Sequence, residues 1–127
     1  MRTSVWIALA LLTVTLAAGM LTQGAMQGIS ERYVSAAQEL RSMTAHEEWQ
    51  RARETTQAYL EDWRSLEPTL QMLINHDDTD DVTLSLVLLE AAIEAQDMAG
   101  CLTACAQLEE NAQHLYHRDA FTLGNVL

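Results

Sequence analysis

Lysine is absent from this 127-residue chain, and basic side chains of any kind are few. Seven arginines stand against 18 aspartates and glutamates, which gives a formal net charge of −11 at pH 7. A surface of this sign repels the nucleic-acid phosphates whose neutralisation supplies most protein–nucleic acid affinity, and it repels anionic lipid headgroups for the same reason. The composition therefore predicts that the protein does not bind nucleic acid.

Proline and cysteine are also scarce. The chain has one proline and two cysteines, while apolar residues make up 49% of it. Disordered chains are poor in apolar residues, so this composition indicates a folded protein. Two cysteines are too few for a small fold stapled by disulfides.

Charge is missing from one long segment near the amino terminus. No charged side chain lies between Arg2 and Glu31, so all 18 acidic residues and six arginines follow this gap, leaving a formal charge of −12 there. Residues 5–21 would span about 25 Å as a helix, at the short end for a bilayer core of roughly 30 Å. Arg2 is the only charged side chain before this run, and the positive-inside bias then places the amino terminus in the cytoplasm.

A cleavable signal peptide is the alternative to a membrane anchor. The apolar run has a suitable length, and Ala17 and Gly19 are small residues of the kind found before a cleavage site. Helical patterning resumes at Ile29 with no linker, which favours a retained anchor. We therefore expect a membrane anchor over residues 1–28 and an acidic extracytoplasmic domain over residues 29–127, in a single-pass protein of the cell membrane.

Apolar residues recur every three or four positions after the anchor, as on one face of an α-helix. The first helix carries Ile29, Tyr33, Ala36, Leu40 and Met43. Thr44 and Glu47 fit a capping box at the start of the next helix. That second helix carries Trp49, Ala52, Thr56, Tyr59, Trp63, Leu66, Leu70 and Leu73.

Pro68 lies inside the second helix, where proline removes a hydrogen bond and clashes with the preceding turn. The apolar pattern keeps its phase across Pro68, which predicts one kinked helix and not two. Ile74, Asn75 and His76 are expected to end it, with His76 near the negative end of the helix dipole.

A third helix is predicted from about Asp80 to Gln96, after a loop and amino-terminal turn rich in aspartate (residues 77–81). It carries two apolar stripes. One contains Val82, Leu86, Leu89 and Ile93, and the other contains Leu84, Leu88, Ala91 and Ala95. The second stripe is a spare apolar face, so Leu84 and Leu88 are candidates for binding a partner.

Asp97 is a suitable cap for a fourth helix, whose apolar stripe contains Met98, Cys101, Cys105, Leu108, Ala112 and Leu115. The pattern fails after His117, and residues 121–127 are expected to form a short tail that packs back on the bundle. The predicted fold is all-α, with an N-terminal transmembrane helix followed by a small antiparallel bundle of three to four helices.

Several of these features together resemble a bacterial family known as domain of unknown function 4363. They are the paired tryptophans Trp49 and Trp63, the Ile-Asn-His-Asp-Asp junction at residues 74–78, the spaced residues from Ser85 to Asp97, and the Thr-Leu-Gly-Asn-Val-Leu ending at residues 122–127. The resemblance covers nearly the whole chain. It implies a membrane-anchored helical protein and brings no known activity.

Few residues are candidates for chemistry. Cys101 and Cys105 lie within an apolar stripe, where small buried residues are the ordinary occupants, and a disulfide between them would join two turns of one helix. His76, Asp77, Asp78, His114 and His117 are weak metal candidates, because their spacing matches neither an EF-hand nor a Glu-x-x-His di-iron motif. We expect no cofactor and no enzymatic activity.

Two functions remain open. The first is a protein-interaction or scaffolding module displayed outside the membrane, which binds another protein or a second copy of itself through Leu84 and Leu88. The second is a sensor of a cation or small ligand, which would use residues 77–81 together with His76.

Overall fold

The computed structural model describes residues 2–126, with side chains described for residues 2–116. Four α-helices account for nearly all of this range: α1 (Arg2–Ala45), α2 (Trp49–Leu73), α3 (His76–Glu94) and α4 (Met98–Val126). No strand occurs in the described range. The all-α prediction is confirmed.

The helices form an up-down-up-down bundle in which each helix runs antiparallel to both of its neighbours. α1 packs against α2 and α4, and α3 packs against the same two helices from the other side. One polar contact illustrates each of the four interfaces: Arg32 with Asp62, Trp63 with Thr83, Ser85 with Asn111, and the Ser30 hydroxyl donating to the backbone carbonyl of Ala112. Short connections between long helices favour this topology.

The core forms where the four predicted apolar stripes meet. Its buried side chains include Tyr33, Leu40, Trp63, Leu70, Val82, Leu86, Leu89, Ile93, Cys101, Cys105, Leu108 and Leu115. The Tyr33 and Trp63 rings meet edge to face with their centroids 5.1 Å apart. The indole Nε1 of Trp63 donates a hydrogen bond of 2.8 Å to Thr83 Oγ1, so the buried ring leaves no polar atom unsatisfied.

α1 is far longer than the bundle. Its 44 residues extend about 66 Å, and the first of its residues to be buried is Met26. The amino-terminal part of α1 projects from the bundle with its apolar side chains exposed. Among the described residues, α1 is the one helix long and apolar enough to cross a membrane, with a mean hydropathy of 2.1 over its best window. The expected boundary at residue 28 lies inside this helix, which is continuous across it.

Two of the three connections use the same turn. After α1, Glu48 N donates to Met43 O (2.9 Å) and Glu47 N to Thr44 O (3.0 Å), with Glu47 in the left-handed region at φ 57°. Gln96, at φ 50°, takes the equivalent place after α3. This is the Schellman arrangement, which satisfies the last carbonyls of a helix.

The predicted capping box at Thr44 is therefore wrong. Thr44 belongs to the last turn of α1, and its hydroxyl donates to the carbonyl of Arg41 at 3.0 Å. Residue 48 precedes α2 and makes no side-chain cap. The residues that a capping box would need already form the Schellman turn that ends α1.

The connection between α2 and α3 differs from its prediction in one respect. α2 continues through Pro68 to Leu73, as predicted. His76, however, is the first residue of α3 and does not end α2. Asn75 is the cap, and its side-chain oxygen accepts a hydrogen bond of 3.2 Å from Asp77 N. The third helix thus begins four residues earlier than predicted, because asparagine suits an N-cap and Asp77 and Asp78 suit a first turn.

Asp97 caps α4 as predicted, with its Oδ1 accepting a hydrogen bond of 3.1 Å from Gly100 N. The predicted break after His117 is wrong, because α4 continues to Val126. The side chains after Tyr116 and the whole of Leu127 lie outside the described residues, and so does the predicted packing of residues 121–127 on the bundle.

A candidate interaction surface on α3 and α4

The second apolar stripe of α3 faces solvent. Leu84 is 56% exposed and Leu88 is 44% exposed, and Val87 beside them is 37% exposed. The geometry follows from helical spacing, since the core stripe beginning at Val82 uses the opposite side of the same helix. A bundle of four helices closes the core around one stripe of α3 and leaves the other uncovered.

A shallow groove of about 530 Å³ continues this face between α3 and α4. Leu88 lies at one end of the groove, and small side chains form most of its walls: Ala91, Ala92, Ala95, Ala99, Gly100, Thr103 and Ala104. Small side chains allow the backbone of a docked helix to come close, which increases van der Waals contact. We name Leu84, Leu88 and these wall residues the α3–α4 face.

The surroundings of the α3–α4 face carry one sign of charge. Between His76 and Tyr116 the chain contains nine aspartates and glutamates and no arginine or lysine. Asp80, Asp81 and Glu110 are exposed on the helices that form the face. An apolar surface bordered by carboxylates is complementary to an apolar surface bordered by basic residues.

The arginines whose side chains are described, up to residue 116, lie on the other two helices. Arg32 and Arg41 on α1 contact Asp62 and Glu109, and Arg53 on α2 contacts Glu94. These pairs hold the α1–α2, α1–α4 and α2–α3 interfaces at the surface. Three described arginines thus join helices of the bundle through ion pairs, and no described arginine side chain lies on α3 or α4.

The metal candidates do not converge. His76 and Asp77 are exposed in the first turn of α3, and Asp78 beside them is buried. His114 is exposed on α4, and the side chain of His117 lies outside the described residues. Within residues 2–116, no three His, Cys, Asp or Glu side chains are placed so that they could hold a metal ion.

Both cysteines are buried as free thiols in the core. Burial raises the pKa of the Cys105 thiol to about 11, and it raises the pKa of the Cys101 thiol as well. A thiol with a raised pKa forms little of the reactive thiolate at neutral pH. The two side chains are therefore core residues, as predicted.

The sequence prediction found Leu84 and Leu88 but missed the half of the face that α4 supplies. Ala91, Ala95, Ala99 and Thr103 recur every fourth residue across the α3–α4 turn. This regular spacing of small residues continues from α3 into α4 and indicates the residues that α4 adds to the face. The apolar stripe of α4, by contrast, predicts only the side of that helix that faces the core.

The fold is an acidic four-helix bundle whose first helix extends into an exposed apolar segment. The chain belongs to the family described as Domain of unknown function (DUF4363), which it matches over residues 20–126. The match includes the whole bundle and the end of the apolar run, and it confirms the resemblance found in the sequence. No curated protein matches the chain, and neither does any solved structure.

Proposed function

We propose that this protein is a membrane-anchored, non-enzymatic interaction module that displays its acidic bundle outside the membrane and binds a partner protein through the α3–α4 face. The observation that carries the proposal is the exposure of Leu84 and Leu88 beside a groove of small residues. Exposed apolar patches bordered by polar residues are typical of protein-binding sites.

The anchor in this proposal is the projecting part of α1, retained with its amino terminus in the cytoplasm. Helix α1 is unbroken from Arg2 to Ala45, and the same helix supplies Tyr33 and Leu40 to the core. Residues 2–25 would extend about 36 Å, which is enough to cross a hydrocarbon core of roughly 30 Å. The continuity of the helix supports a retained anchor over a removed signal sequence.

Charge determines which partner we propose. A second copy of the chain would bring another acidic face against Asp80, Asp81 and Glu110, and like charges opposed across an interface are unfavourable. An amphipathic helix with an apolar stripe and flanking lysines or arginines has the opposite sign and the right shape for the groove. We therefore propose a basic amphipathic helix of another protein as the occupant.

The alternative function, a sensor of a cation or small ligand at residues 77–81 and His76, receives no such support. Asp77 is exposed and Asp78 is buried, so neighbouring carboxylates of the cluster point to different environments.

The proposal is tested with the full chain in detergent and a model peptide that forms a leucine-striped helix flanked by lysines. The peptide should bind, its affinity should fall as salt is raised, and Leu88→Glu should weaken binding by about tenfold or more, the effect of about 1.4 kcal/mol. Gln57→Glu on the exposed side of α2 adds the same charge elsewhere and should change the affinity little.

A photo-crosslinking residue at position 84 then tests for a natural partner in the intact membrane, with the same residue at position 57 as the control. Crosslinks to another protein specific to position 84 support the proposal, and crosslinks to a second copy would replace the partner with self-association. Binding of the peptide that survives Leu88→Glu, or equal crosslinking at both positions, would refute the proposed site.

A further inference from the structure

The end of α2 and its junction with α3 (residues 72–75, named here the α2–α3 turn) expose apolar side chains at the end of the bundle from which the anchor projects. Met72 is 86% exposed and Leu73 is 53% exposed. Met72 is more exposed than any other large apolar residue in the described part of the chain. The exposure of two large apolar side chains to water is unfavourable. What surrounds these side chains in a membrane-bound protein therefore affects its free energy.

The register between α1 and α2 shows which residues of α1 lie at the same level as this turn. The side chain of Arg32 on α1 contacts that of Asp62 on α2, and the two helices are antiparallel. Leu21 precedes Arg32 by 11 residues, and Leu73 follows Asp62 by 11 residues. Since both helices rise about 1.5 Å per residue, Leu73 lies at the level of Leu21 along the bundle axis.

Leu21 is the last residue of the apolar run over residues 5–21, where a bilayer-spanning helix would leave the hydrocarbon core. Thr22 and Gln23, directly after Leu21, are only partly exposed, unlike most of α1 before them. The bundle therefore reaches down to this level of α1, and its lower end meets the place where the membrane surface would lie.

We propose that the α2–α3 turn docks against the surface of the bilayer that holds α1, with Met72 and Leu73 in the interfacial layer. This inference rests on the retained anchor of the proposed function. Apolar side chains on a short surface segment partition into the boundary between headgroups and acyl chains. Together with α1, the turn gives the bundle a second point of contact, which fixes its orientation on the membrane.

Charged side chains limit how deeply the α2–α3 turn can enter the bilayer and which lipid headgroups it can contact. Asp77 and Asp80 are exposed in the first residues of α3, immediately after the turn. Carboxylates do not enter the hydrocarbon core, and they are repelled by anionic headgroups. The surface that the turn fits is therefore zwitterionic, and the two apolar side chains enter only its boundary layer.

The test uses the full chain in phosphatidylcholine vesicles with Met72→Cys carrying an environment-sensitive fluorophore. Met72 makes no core contact, so its replacement should leave the helical circular dichroism unchanged. Cys101 and Cys105 are buried and should not take the label, which the parent chain verifies. His46→Cys, in the turn at the opposite end of the bundle, is the matched control, about 37 Å further along α1 than Leu21.

The expected result is strong quenching of the fluorophore at position 72 by lipids that carry a nitroxide near the headgroup, with none at position 46. Quenching at position 72 should weaken as phosphatidylglycerol replaces phosphatidylcholine. Leu73→Cys, labelled in the same way, should repeat the pattern.

Two failures are distinguishable. Protein that floats with the vesicles but shows no quenching at positions 72 and 73 overturns the docked turn and leaves the anchor intact. Protein that does not float with the vesicles overturns the anchor, and the docked turn with it.

Discussion

The absence of a side chain at Gly100 leaves room for Asp97 to cap the amino terminus of α4. The carboxylate of Asp97 accepts a hydrogen bond from Gly100 N, and a Cβ at position 100 would lie 2.5 Å from Asp97 Oδ2 and 3.3 Å from the Cβ of Ala92. Glycine inside a helix is usually a cost of about 1 kcal/mol relative to alanine. Here that cost is offset by the capping bond, because any larger residue would displace the carboxylate.

We predict that Gly100→Ala leaves the free energy of unfolding unchanged or lowers it by about 1 kcal/mol, since the loss of the cap offsets the gain in helix propensity. In an Asp97→Ala background, where no carboxylate stands in the way, the same substitution should stabilise the protein by about 0.5–1 kcal/mol. Urea denaturation of the four chains of this cycle measures both values. Equal effects of Gly100→Ala in the two backgrounds would show that the cap and the glycine are independent.

At the scale of elements, the helix ends explain most differences between sequence and structure. Thr44 and Glu47 have the spacing of a capping box, yet Glu47 occupies a left-handed position in a Schellman turn. Two residues other than glycine, Glu47 and Gln96, adopt positive φ in the described range. Helices α1 and α3 are therefore each followed by a residue in a conformation that side chains with a Cβ disfavour.

We predict that Gln96→Gly stabilises the bundle by about 0.5–1 kcal/mol. The left-handed conformation costs a residue with a Cβ about 1–2 kcal/mol, and glycine removes this cost. Part of the gain is lost again, because glycine gives the unfolded chain more conformational entropy.

Ala95→Gly is the matched control, because Ala95 has φ −81° and gains no relief. It should destabilise the protein by a similar amount. Thermal melts of the two variants and the parent chain make the comparison. A lower melting temperature for Gln96→Gly would contradict the assignment of strain to this turn.

At the scale of the whole molecule, the chain separates into a part that builds the core and a part that does not. The described core begins at Met26, and residues 5–21 contribute no buried side chain to it. The bundle buries its stripes by packing four helices around one another, and each fully buried leucine or tryptophan is worth roughly 1.5–3 kcal/mol. Its stability should therefore not depend on the projecting segment.

We predict that a chain beginning at residue 22 remains helical and unfolds cooperatively in the absence of detergent. The reason is that every buried contact of the bundle is retained. Circular dichroism of this shortened chain, compared with the full chain in detergent, checks the prediction. A mostly unordered spectrum would show that the bundle needs its membrane segment to fold.

Sequence periodicity was sufficient to identify the helices and their buried faces. Tyr33, Leu40, Val82 and Leu86 were assigned to the core from their spacing, and all four are buried. This succeeded because helical periodicity is a local property, which each segment displays without reference to its neighbours.

The helix ends and the exposed apolar faces, in contrast, depend on how the helices pack. The capping bond at Asn75, the Schellman turns and the exposure of Leu84 and Leu88 depend on which helices pack together, and a stripe can be apolar whether or not another helix covers it. The level of Met72 and Leu73 beside Leu21 likewise follows from the register between α1 and α2, which no single helix encodes.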